Sequence, residues 1–149
     1  MAETKYGKYI MREPHAKWTP VEPLAERAPV TTSIRVNSNL FSTISCDFAF
    51  MGVSKASPQE QGHPSHKHDV DEFLFFIGGD SRNMLDFGAE VELSLGEGEE
   101  QEKHTINATS IVYIPKGLAH LPITFKKVDK PILFGHLLLA PDYSETRLE

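Results

Sequence analysis

The chain of 149 residues is 40% hydrophobic and 24% charged, an ordinary globular composition that excludes disorder over its whole length and fits one domain with a real core. Fifteen Lys and Arg stand against 21 Asp and Glu, a formal charge of −6, so no basic stripe is available to neutralise the phosphates of nucleic acid or an anionic membrane. Cys46 is the only cysteine, which excludes an intrachain disulfide and a cysteine-based zinc site.

The N-terminus, MAETKYGKYIMREPH, has no apolar run of signal-peptide type. No apolar stretch reaches the roughly 18 residues of a membrane span, so a cytoplasmic chain is expected. Residues 1–30 hold Pro14, Pro20, Pro23 and Pro29 among mixed polar residues. Proline removes a backbone donor and disfavours helix in the residue before it, so this part reads as an extended arm with at most one short helical turn. Tyr6, Tyr9, Ile10 and Trp18 are costly to leave in water, and the arm is expected to pack on the remaining domain, residues 31–149, or on a second subunit.

From residue 31 onward, short β-forming runs follow one another: TSIRV, LFSTISCDFAFMGVS, EFLFFIGG, AEVELSLG, KHTINA, SIVYIP, LPITFKKV and ILFGHLLLA. Cys46, inside the second run, is expected to sit in a strand as a small buried hydrophobe. The breaks (GGDSRN, GEGEE, PKG, VDKP and APDY) carry Gly, Pro, Asn or Asp. Many short strands at even spacing predict an all-β antiparallel sandwich or barrel. The acidic run LGEGEEQEKH lacks the spacing of a calcium loop and reads as a solvated hairpin tip. Lys126, Lys127 and Lys130 read as a solvated turn.

One stretch stands apart: HPSHKHDVDEF, residues 63–73. In a helix, His66 and His68 would lie about 200° apart around the axis and could not share an ion. In a strand, residues two apart point to one side, about 6–7 Å apart, which suits two imidazoles converging on one metal. Glu72 has the same parity, with DVD as a tight connection between strands, whereas Lys67, Asp69 and Asp71 are expected to face elsewhere. Two imidazoles and a carboxylate leave open positions on the ion. A fourth ligand is offered by His120 in YIPKGLAHLPI, where Pro115 and Gly117 make a turn before the chain re-enters a strand. Simple alternation there puts His120, Pro122 and Thr124 on one face and Leu121, Ile123 and Phe125 on the other.

These residues carry a family resemblance. His66, His68, Glu72 and Gly79 match, at every spacing, the first motif of the cupin superfamily: His-x-His, three residues, Glu, six residues, Gly. Pro115, Gly117 and His120 resemble the second, Pro-x-Gly-x-x-His. The resemblance covers about residues 40–140 and implies an all-β double-stranded β-helix, a jelly-roll barrel of six to eight strands. It further implies one divalent metal held by His66, His68, Glu72 and His120, and a homodimer built with the N-terminal arm. The chain departs from the pattern where the family has glycine ahead of each motif, at Glu60 (with Gly62 nearer) and Thr109, and where it often has asparagine, at Thr124. These positions are not ligands, and they predict a turn and pocket wall particular to this chain.

The donor set suits Fe, Mn, Co, Ni, Cu or Zn. The expected function is that of a metal-dependent enzyme acting on a small polar metabolite, with a dioxygenase as the first subtype and isomerase, decarboxylase or hydrolase chemistry as the non-redox form. A non-catalytic ligand-binding or sensor barrel is the rival reading; a metal-free sugar-nucleotide isomerase is disfavoured because all four ligands are present. No Ser-His-Asp or Cys-His arrangement is visible, so His136, the only ionisable side chain in an apolar strand, and His63 are the candidate bases. The favoured reading of His136 is a core histidine satisfied by one hydrogen bond, with a group at the pocket as the other. Leu74, Phe76 and Phe134 are core or cavity lining; His15 and His104 read as surface residues.

Overall fold

The computed structural model describes residues 4–11, 30–61 and 65–148. Most of the arm, with Pro14, His15, Trp18, Pro20, Pro23 and Pro29, lies outside the described residues, as do Gly62 and His63. In its described part a single turn of 3₁₀ helix spans Gly7–Tyr9, and Tyr6, Tyr9 and Ile10 are exposed on the single chain.

Eleven strands follow among the described residues: β1 (Val30–Val36), β2 (Asp47–Val53), β3 (Ser57–Gln61), β4 (His66–Lys67), β5 (Glu72–Gly78), β6 (Ala89–Leu95), β7 (Glu102–Ile106), β8 (Ser110–Ile114), β9 (His120–Val128), β10 (Ile132–Leu138) and β11 (Thr146–Arg147). They form two antiparallel sheets. One has the order β1-β2-β10-β5-β8; the other runs β11-β4-β9-β6-β7, with β3 also paired to β9. The run predicted as one strand around Cys46 begins only at Asp47. Asn37 ends β1 by accepting the Asn39 amide at 2.9 Å, and turns at Asn37–Leu40 and Phe41–Ile44 use up the residues between. Cys46 therefore precedes the strand and is half-buried rather than a core residue. The short strands β3, β4 and β11 take the total past the six to eight expected.

Alternation builds the interior of the first sheet. Asp47, Ala49, Met51 and Val53 of β2, Glu72, Leu74 and Phe76 of β5, and Ile132, Phe134, His136 and Leu138 of β10 all point inward. The register sorts these side chains into rows across the sheet. Met51, Phe134 and Phe76 share one row and Val53 and Ile132 the next, making an apolar end. Phe134 stacks near Phe76 at 5.2 Å and meets the edge of Phe125 at 5.8 Å. Burying each such ring contributes about 2–3 kcal/mol. At the other end, Asp47, Leu138 and Glu72 share a row, and Arg35, Ala49, His136 and Leu74 form the row beside it. The interior is thus apolar at one end and ionisable at the other.

The outward face of this sheet is also apolar. Phe48, Phe73, Phe75, Ile77, Ile111 and Leu137 line a shallow depression of about 430 Å³. The acidic run forms the β6–β7 hairpin tip, with Gly98–Glu100 exposed, as its composition predicts. Lys126 and Lys130 make surface ion pairs with Glu92 and Asp86.

Strand β9 departs from simple alternation. Leu93 pairs with Ile123, but Leu95 pairs with His120, so Leu121 and Pro122 together face the single residue Ser94. This β-bulge, with Leu121 at φ 73°, shifts the parity by one. His120, Ile123 and Phe125 therefore all point inward, and the expected separation of His120 from Ile123 does not hold.

Candidate metal centre

His66 enters from β4, His68 from the residue just after it, Glu72 from the first position of β5 and His120 from the first position of β9. The connection between His68 and Glu72 is tight: Asp71 accepts the Lys116 amide at 2.9 Å, and Gly117 donates to the His68 carbonyl at 2.9 Å. Gly117, at φ 83°, completes the turn that Pro115 opens, with Leu118 donating to the Pro115 carbonyl at 3.0 Å. Gly79 closes the first motif because a Cβ there would lie 2.5 Å from the Pro131 carbonyl oxygen. Thr109, where the resemblance has glycine, instead uses its hydroxyl to accept the Gly78 amide at 3.0 Å and donate to the Met84 carbonyl at 2.5 Å. Asp69, exposed, pairs with Lys116, so it faces away from the site as predicted.

The three imidazoles are buried, and one ligand atom from each lies within 4.8 Å of the other two. His68 Nε2 and His120 Nε2 stand 3.0 and 3.1 Å from the same oxygen of Glu72. All three atoms are buried, yet none makes a hydrogen bond in the described structure. At the far side of the rings, His68 Nδ1 donates to the Ser144 carbonyl at 2.5 Å and His120 Nδ1 to the Leu118 carbonyl at 3.0 Å. A carbonyl can only accept, so the proton of each neutral imidazole is fixed on Nδ1 and the lone pair of Nε2 is aimed inward. Buried polar atoms without a hydrogen bond are rare, and three converging on one point suit a cation. His66, His68 and His120 form a group able to hold a divalent metal ion.

Electrostatics sharpen the site. Burial alone would raise the Glu72 carboxyl, but the approach of His120 and His68, with the charge of His136, pulls it far below the usual carboxylate range. Glu72 is therefore an anion. Burial also opposes protonation of His68; contact with Glu72 and the Ser144 carbonyl outweighs it and raises this imidazole.

Several residues here were not singled out in the sequence. The segment after β10 crosses the site and brings Tyr143, Ser144 and Glu145 to it. His66 lies 3.5 Å through Nδ1 from Glu145 and 3.4 Å through Nε2 from the Tyr143 hydroxyl. On the sheet side, Arg35 and Asp47 are almost wholly buried, and Arg35 Nη1 donates to both Asp47 oxygens at 2.8 and 2.6 Å. Burial brings the guanidinium down to about 10 despite that partner. His136 is buried with Nε2 3.7 Å from Asp47. His104 is half exposed and pairs with Glu102 at the surface.

No family model matches the sequence, and no curated protein is similar to it. Solved structures are similar in shape. Oxalate oxidase superposes with a TM-score of 0.56 over 95% of this chain and 64% of that one, at 10% identity. Bacillus subtilis oxalate decarboxylase, described with Mn(II) centres, superposes with a TM-score of 0.53 over 98% of this chain and 37% of that one, at 15% identity. The chain has the cupin fold. Its inward histidines come from the two stretches that resemble the cupin motifs, and it spans under two thirds of either protein's length. Among the described residues, no helix of this chain is long and apolar enough to cross a membrane.

Proposed function

We propose that this cupin is a metal-dependent enzyme acting on a small polar organic metabolite, with oxygen-dependent chemistry as its first subtype. The observation that carries the reading is the convergence of His68 Nε2, His120 Nε2 and Glu72 Oε2, buried and without hydrogen bonds, beside His66. In this reading His66, His68, Glu72 and His120 hold one divalent ion. Such an ion supplies a Lewis acid for a substrate oxygen and, where redox-active, a one-electron couple.

The protein's own groups do the rest. The Ser144 and Leu118 carbonyls keep the His68 and His120 lone pairs aimed inward. Leu74 and Leu138 in the neighbouring rows exclude water from beneath the site. We assign proton handling to His136, whose Nε2 stands 3.7 Å from Asp47. His63 is the other candidate base.

Elemental analysis of protein purified without added metal, with His66→Ala as control, tests the reading. Stoichiometric iron or manganese with substrate-dependent oxygen uptake supports the oxygen-dependent subtype. Stoichiometric zinc or nickel without oxygen uptake moves the chemistry to the non-redox class. Wild-type protein that takes up no more metal than the control refutes the assignment. A homodimer belongs to the same proposal; the apolar outer face of the first sheet, where Ile111 is 69% exposed, supports it, and light scattering checks it.

A further inference from the structure

The segment that follows β10 is anchored beside the site at several points. Leu139 donates to the Asp71 carbonyl at 3.1 Å, Ser38 to the Pro141 carbonyl at 2.9 Å and Leu148 to the Ser65 carbonyl at 2.9 Å. Strand β11 pairs with β4, so that Arg147 stands opposite His66 itself. Between these anchors the Tyr143 ring lies 5.3 Å from His68 and 6.4 Å from His66, nearly edge-on to both, and 5.9 Å from His136. It therefore lies against imidazoles from both sheets, His66 and His68 on one side and His136 on the other. Its hydroxyl donates to Glu145, whose other oxygen accepts Arg147 Nε at 2.6 Å. The ring is thus held at its hydroxyl as well as through the backbone on either side.

We propose that Tyr143 sets the size of ligand that the metal site accepts, admitting small oxyanion chelators and turning away aromatic ones. This rests on the metal reading above. The ring is fixed, so a ligand must fit beside it, and a flat aromatic chelator would need the same volume. The charge preference follows from the surrounding groups. Asp47 pairs with Arg35 and Arg147 with Glu145, so a divalent ion beside the single carboxylate of Glu72 leaves an excess positive charge. An anionic oxygen ligand balances it. Truncating Tyr143 to alanine removes the ring from between His68 and His136.

The test loads wild type, Tyr143→Ala and Tyr143→Phe with Co(II) and follows the visible cobalt spectrum on titration with oxalate and with 4-nitrocatechol. Wild type and Tyr143→Phe, which keeps the ring, are expected to respond to oxalate and to bind 4-nitrocatechol on the order of tenfold more weakly than Tyr143→Ala, about 1.4 kcal/mol. Wild type that binds 4-nitrocatechol as tightly as Tyr143→Ala overturns the inference. So does a Tyr143→Ala protein that holds cobalt, responds to oxalate and still refuses 4-nitrocatechol. Should the alanine variant fail to fold by circular dichroism, Tyr143→Leu replaces it and the same outcomes apply. Cobalt content measured before any ligand is added separates the two claims: wild type that takes up no cobalt refutes the metal reading, and this inference falls with it.

Discussion

Replacing Asp47 with alanine isolates the charge buried behind the metal centre. Arg35 is 3% exposed and Asp47 0%, and one guanidinium nitrogen bonds both carboxylate oxygens. Even with that partner, burial brings Arg35 from 12.5 to about 10, a penalty of about 3 kcal/mol. Without Asp47 nothing offsets that burial as directly, and breaking a buried pair from one side costs about 3–5 kcal/mol. Against a total stability of about 5–15 kcal/mol, the variant is left marginal. In urea, with a slope of about 2 kcal/mol/M, the midpoint should fall by about 2 M, and Tm by about 8–16 °C. Far-UV circular dichroism during urea titration measures it. The double variant Arg35→Met, Asp47→Leu removes both charges into apolar surroundings and should lie within about 1 kcal/mol of wild type or above it. A single variant costing less than about 1 kcal/mol, or a double costing as much as the single, would show that the pair is not held dry and that the reasoning fails.

Three further outcomes are expected. His120→Ala should lower metal affinity by more than the roughly hundredfold lost with an outer-shell partner, read by calorimetry with Zn(II), while the circular dichroism spectrum stays that of a β protein. Metal affinity should fall as pH is lowered. His68 is raised above the ordinary imidazole value of 6.5, so the loss starts above that pH and reaches about tenfold per pH unit for each proton displaced. The metal-free protein carries the opposite sign: a raised imidazole stabilises the fold below 6.5 and the gain is lost as pH rises through its folded value, so Tm without metal should fall as pH rises above 6.5. Gly79→Ala should cost about 1–3 kcal/mol in urea unfolding, because the new Cβ would lie 2.5 Å from the Pro131 carbonyl oxygen, part of a backbone with little room to yield.

The parts of the site that lie in short contiguous stretches were legible in the sequence. His66, His68 and Glu72 share a local parity, and the Pro115–Gly117 turn announces where β9 starts, so their convergence follows from strand geometry. What stayed hidden depends on contacts between distant segments. Arg35 and Asp47 sit 12 residues apart, and only the pairing of β1 with β2 makes them neighbours. Asp47 did carry a signal: it shares the inward parity of Ala49, Met51 and Val53, and an acid at the start of such a series needs a partner. Tyr143 and Glu145 lie in a stretch whose Pro and Asp mark it only as a turn, and its path across the site is set by hydrogen bonds to Ser38, Ser65 and Asp71. The separation of His120 from Ile123 and Phe125 was misjudged because alternation assumes one residue opposite one residue, which Leu121 and Pro122 violate.

That last irregularity makes the centre a matter of counting. Antiparallel strands tally residues in twos, and β9 carries an odd one between His120 and Ile123. Deleting one residue at Leu121–Pro122 would leave a single residue opposite Ser94, and His120 would still stand opposite Leu95 and face inward two positions before Ile123. Deleting both would set His120 next to Ile123, on the opposite face of β9, and the polypeptide would keep its sheet and lose a donor without any change in the chemistry of the remaining side chains. The centre should therefore tolerate a gap of one at these positions and not a gap of two.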